Sequence, residues 1–140
     1  CLVSPSAVML RREVFWQAGG FDEALPAAED YDLWLRLTWR HPVGLVPEPL
    51  IIKRGGHPDQ LSRQWGLDRF RIRALQKLLQ EPELPGHYRD AARRTLRDKC
   101  RIYAQGCRKR GRLGEALSYQ HLAVLPGGNK SYGSNEAGYQ

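Results

Sequence analysis

Apolar positions keep two different rhythms along the chain. Short apolar runs fall at 6–10 (SAVML) and at 43–53 (VGLVPEPLIIK, broken by Pro47 and Pro49). The first predicts a buried strand and the second two short strands. Between them, RREVFWQAG (11–19) predicts a short helix with Val14 and Phe15 inward, ended by Gly19-Gly20. EDYDLWLRLTWRH (29–41) predicts a second helix, stopped by Pro42. On that helix Asp32, Arg36 and Arg40 recur at i, i+4 and i+8 as one narrow polar stripe. Tyr31, Leu33, Trp34, Leu35, Leu37 and Trp39 cover most of the rest, so the helix is expected to be buried on most sides.

Past residue 63 the rhythm is helical throughout. Leu67, Phe70, Ala74 and Leu78 mark one face of 64–80. EPELPG breaks the pattern, and Ala92, Leu96, Tyr103 and Cys107 then line one face of 87–110. In 111–125 the expected inner face carries Leu113, Ala116, Leu117, Gln120 and Val124. The chain therefore divides into an α/β part (1–62), a helical extension (63–125) and a Gly/Ser/Asn-rich tail (126–140) expected to be flexible. No internal repeat is visible.

With 41% hydrophobic and 26% charged residues, the 140-residue chain has the composition of a globular domain with a core. No apolar run reaches transmembrane length, and CLVSPSAVMLRR lacks the layout of a signal peptide. The chain opens on Cys and runs directly into a strand-like segment, which reads as a piece of something longer. Of the three cysteines, Cys100 and Cys107 stand about 10 Å apart along a helix axis, too far for a disulfide. No Cys/His zinc spacing occurs, and a reducing, cytoplasmic compartment fits best.

Charge is split unevenly. Residues 1–60 hold 6 Lys/Arg and 8 Asp/Glu (net −2), and 61–140 hold 16 and 7 (net +9), together the +7 of the whole chain. Against this basic background, five carboxylates gather between positions 22 and 32: Asp22, Glu23, Glu29, Asp30 and Asp32. Acids at a helix start complement its dipole, which accounts for Glu29 and Asp30 structurally. Both acidic pairs also sit at the ends of elements, where sites are commonly built. A carboxylate held rigidly near the surface suits a general base or a metal ligand. Asp30 and Asp32 formally spell D-x-D, but i and i+2 on a helix point about 200° apart, so Asp32 is expected to pair with Arg36 instead.

The phrases SAVMLRREVFWQAGGFDEALPAAEDYDLWLRL, PEPLI and HPDQLS, in that order over residues 4–62, resemble the C-terminal half of family 2 glycosyltransferases with the GT-A fold. The resemblance implies an α/β fold class: the C-terminal portion of a nucleotide-diphospho-sugar transferase, followed by the helical extension. It implies Asp30 as catalytic base with Glu29 beside it, and Asp22 and Glu23 bordering an acceptor pocket. Trp34 and Arg36 are further acceptor-side candidates, although they read mainly as packing and ion-pairing residues. The reaction implied is inverting transfer of a sugar from a nucleotide-sugar donor to a hydroxyl on a glycan or lipid-linked acceptor, in cell-envelope or polysaccharide synthesis. His57 resembles a histidine that helps hold a divalent cation, Mn²⁺ or Mg²⁺. The D-x-D that grips metal and diphosphate in the family has no counterpart here. The piece alone is therefore expected to be inactive, and an oligomer could cover apolar surface left by an incomplete sheet.

The second half carries ten Lys/Arg between Arg89 and Arg112. They read as a solvated face, or as a surface for anionic partners. An anionic membrane touching 87–112 would make the protein membrane-peripheral, while nucleic acid has no support beyond charge. The alternative to a transferase part is a basic helical binding module in which the acids are helix caps. A third reading is a helical hairpin like those of tetratricopeptide arrays, built for protein contact.

Overall fold

The computed structural model describes residues 3–52 and 65–124. A 3-10 turn, Pro5–Ala7, comes first. Five α-helices follow: α1 Arg12–Gln17, α2 Glu29–Thr38, α3 Leu67–Leu79, α4 Gly86–Lys109 and α5 Leu113–Val124. Packing runs from α5 to α4, from α4 to α3, and from α3 to α2. No helix among the described residues is long and apolar enough to cross a membrane.

The core lies among α3, α4 and α5. Ile72, Leu75 and Leu78 of α3 meet Ala92, Leu96, Cys100, Tyr103 and Cys107 of α4, with Ala116, Leu122 and Ala123 of α5 closing it. Tyr31, Leu35 and Trp39 of α2 pack against its edge. Arg89 ties α3 to α4 by donating to the carbonyls of Leu79 (2.8 Å) and Glu81 (2.7 Å), which satisfies acceptors left open at the end of α3. Cys100 and Cys107 are free, buried thiols.

The expected α/β fold, the C-terminal portion of a GT-A domain, is not what forms. Among the described residues there is no strand or sheet. SAVML begins inside the 3-10 turn and leaves Met9 fully exposed rather than buried. Segment 43–52 has neither helix nor strand, and Leu45, Leu50 and Ile52 are largely exposed. An apolar run states a preference for extended backbone, but a strand exists only if a neighbour accepts its hydrogen bonds. Pro47 and Pro49 also withhold two donors from any such ladder.

The helices fall where the sequence rhythm puts them, with one face misread. Leu113, Leu117 and Val124 of α5 point outward, 62 to 78% exposed. The surface that meets α4 is made instead by Ala116, Tyr119, Leu122 and Ala123. Two of these four, Ala116 and Ala123, are small side chains. The tail 126–140 lies outside the described residues.

Candidate functional site

The site is built from the turn after α1, the first turn of α2 and one residue of α3. Gly19 (φ 81°) and Gly20 (φ 65°) end α1 in left-handed conformations that side-chain-bearing residues adopt poorly. Six residues past Asp22, Ala28 takes the same region at φ 61° and turns the chain into α2. A non-glycine residue held there carries backbone strain, so the entry to α2 is fixed by its surroundings.

Those surroundings are an ion-pair network. Asp32 is 1% exposed. Its Oδ2 accepts from Arg36 Nε at 2.9 Å, and its Oδ1 lies 2.8 Å from Lys77 Nζ. Lys77 reaches from α3 and also contacts Asp22 Oδ2 at 2.5 Å. Arg36 continues to the glycine turn, donating to the carbonyl oxygens of Ala18 and Gly20, the latter at 2.7 Å. Asp22 additionally accepts the Ala24 N–H at 3.0 Å, forming a local turn. The Lys77 hydrogen bond, opposed by partial burial and helped by the Ala24 N–H, holds the Asp22 carboxyl below the usual carboxylate range.

Asp30 lies outside that network. It sits half-buried in the first turn of α2, and its Oδ1 accepts the N–H of Tyr31 at 2.7 Å. No cation forms an ion pair with it among the described residues. The two members of the formal D-x-D thus diverge: Asp32 faces α3 and two cations, whereas Asp30 stays at the open end of the helix. Glu29 is half-buried beside it, and Glu23 is exposed in the preceding loop. Trp34 donates its indole N–H to the Val3 carbonyl at 3.2 Å, tying the N-terminal segment to α2. Of the six acceptor-side and catalytic candidates, Asp22 and Arg36 are committed to holding the turn, Trp34 to the N-terminal segment, and Glu23, Glu29 and Asp30 make no ion pair among the described residues. His57 lies outside the described residues.

Among the described residues the carboxylates do not assemble a site for a divalent cation. Among the described residues no three His, Cys, Asp or Glu side chains come together. The other two aspartates of the acidic segment, Asp22 and Asp32, are already paired with Lys77 and Arg36.

Lys77 is the residue that local sequence patterns missed. Its position in QKLL carries no motif, and only the crossing of α3 over α2 brings it to Asp32. A depression of about 490 Å³ opens elsewhere, between the start of α3 and the end of α4, beside Trp65, Arg71, Lys109 and Arg110. There Trp65 stacks on Tyr103 and faces the guanidinium of Arg110, and Arg71 is paired with Asp68.

The profile of glycosyltransferase-like family 2 matches residues 2–76, which contain α1, α2, most of α3 and the network residues Asp22, Asp32 and Arg36, and end one residue before Lys77. An uncharacterized protein of Mycobacterium tuberculosis is 38% identical over 93 residues, 63% of this chain and 28% of that protein. A Rickettsia felis protein named an uncharacterized glycosyltransferase is 32% identical over 63 residues, 45% of this chain and 10% of that protein. A Rickettsia conorii protein with the same description matches to the same extent. The chain thus spans little more than a quarter of the longest-matched relative, and no solved structure matches it. With more than half its length matched, the chain belongs to glycosyltransferase-like family 2.

Proposed function

We propose that residues 3–76 form the acceptor-side, base-carrying part of an inverting sugar transferase that uses a nucleotide-sugar donor. The observation that carries this reading is the split between Asp30 and Asp32. One carboxylate is consumed in fixing the helix, and the other is left half-buried, hydrogen-bonded to a single backbone N–H and unpaired with any cation among the described residues. A sugar hydroxyl is a weak nucleophile, and a fixed carboxylate helps by taking its proton as the oxygen attacks.

In this scheme Asp30 accepts the proton of the acceptor hydroxyl. The oxygen forms its bond to the anomeric carbon while the bond to the nucleotide diphosphate breaks on the opposite side, so configuration inverts. Glu29 and Glu23 border the same end of α2 and would receive acceptor hydroxyls as hydrogen-bond acceptors. The network of Asp32, Arg36, Lys77 and Asp22 acts through position only, by locking the turn and the start of α2.

Asp30→Asn in a full-length enzyme carrying this segment tests the reading. Transfer should fall at least a hundredfold, the range of general-base contributions, with nucleotide-sugar binding unchanged. Wild-type turnover would remove Asp30 from the reaction. The binding-module reading keeps one observation in its favour, the exposed basic face of α4.

A further inference from the structure

α4 carries its cations in a row. Arg94, Arg97, Arg101 and Arg108 fall within about 60° of one another around the helix and extend about 21 Å along it. All four are exposed. Arg94 and Arg97 make no ion pair among the described residues, and Arg101 has only Asp98 at 3.7 Å. Asp90 lies near the start of the row, 3.7 Å from Arg93. The row therefore keeps most of its positive charge.

α5 carries the outward apolar stripe, Leu113, Leu117 and Val124, spaced i, i+4, i+11 and 62, 63 and 78% exposed. Gln120 sits in that stripe, three residues past Leu117 and four before Val124. Its Oε1 accepts from Arg108 Nη2 at 2.7 Å. That hydrogen bond joins the last arginine of the α4 row to the middle of the α5 stripe. At that contact the arginine row of α4 and the exposed aliphatic stripe of α5 meet.

We propose that this composite face lies on an anionic lipid bilayer, with the α5 stripe in the headgroup boundary and the α4 arginines against lipid phosphates. An interfacial surface needs both parts, apolar side chains to enter the boundary and cations to hold anionic headgroups. A nucleic acid would use the arginines but offers no place for three exposed aliphatic side chains. A second copy packed symmetrically on the stripe would bring the two arginine rows toward each other, and like charge opposes that. The proposal is independent of Asp30 and of transfer activity.

The test is co-sedimentation of the 140-residue chain with vesicles of phosphatidylcholine alone and of phosphatidylcholine mixed with phosphatidylglycerol, at physiological ionic strength. Binding should require the anionic lipid and weaken as salt rises. Each arginine near the surface is worth about fivefold in partitioning, so Arg94→Gln, Arg97→Gln and Arg101→Gln together should lower it about a hundredfold. The three Arg→Lys changes should bind like the parent. Leu113→Ser with Leu117→Ser should weaken binding about tenfold. Because these side chains are exposed, thermal midpoints should stay at the parent value, which separates lost binding from lost fold.

Four results would overturn the proposal. The first is equal binding to both vesicle types. The second is anionic binding indifferent to the arginine or leucine changes. The third is tighter binding to a DNA or RNA oligomer than to anionic vesicles. The fourth is a concentration-dependent dimer that is abolished by the leucine changes.

Discussion

Lys77 of α3 places its ammonium 2.8 Å from the buried carboxylate of Asp32 on α2 and 2.5 Å from Asp22 in the preceding loop. One cation thereby joins the family-matched acidic segment to the helical core. Removing a partner strands the others: Asp32→Asn leaves Arg36 and Lys77 facing a neutral amide in a buried site. Breaking a buried pair costs about 3 kcal/mol, and urea unfolding of Asp32→Asn should show a loss of that size. Lys77→Met should cost less, because Lys77 is 35% exposed and Arg36 still pairs with Asp32. A double-mutant cycle over the pair should return a coupling well above the few tenths typical of exposed ion pairs.

Acid should loosen the same joint. The folded-state pKa of Asp22 is depressed, chiefly by the Lys77 hydrogen bond. Its contribution to stability is therefore complete above the unfolded value of 3.8 and is lost as pH falls through the lower folded value. Denaturant midpoints followed downward from neutral pH should drop steeply below pH 3.8. In Asp22→Asn that part of the drop should be missing.

The buried thiols should behave in the opposite direction. Burial pushes Cys100 up to about 12, and Cys107 is raised as well, again first by burial. The neutral thiol is favoured in the folded chain, so stability should decline as pH rises above the ordinary thiol value of 9.0. At neutral pH a thiol reagent, with labelled peptides mapped by mass spectrometry, should reach Cys100 and Cys107 only at the rate of unfolding.

Much of this arrangement is legible in the residues themselves. The period of α2, its stop near Pro42, the Gly19-Gly20 turn and the Asp32–Arg36 pair all follow from local spacing. So do the buried positions Ala92, Leu96, Tyr103 and Cys107 of α4. What failed needed knowledge of neighbours. SAVML and 43–52 have strand-like composition, yet no partner strand lies among the described residues. On α5 the larger Leu113, Leu117 and Val124 looked like the inner face, but α4 accepts the smaller Ala116 and Ala123 at closer range. Lys77 could not be foreseen, because its role depends on a crossing between helices far apart in sequence.

In the proposed scheme Asp30 and Asp32, two residues apart on one helix, do different work. The direct test compares Asp30→Asn with Asp32→Asn in one full-length enzyme, measuring unfolding free energy and transfer rate for each. Asp30→Asn should keep stability within about 0.5 kcal/mol of the parent and lose transfer. Asp32→Asn should lose stability, and activity only in proportion to the fraction unfolded. If Asp30→Asn transfers sugar normally, or if Asp32→Asn is stable but inactive, the assignment of the two carboxylates is wrong.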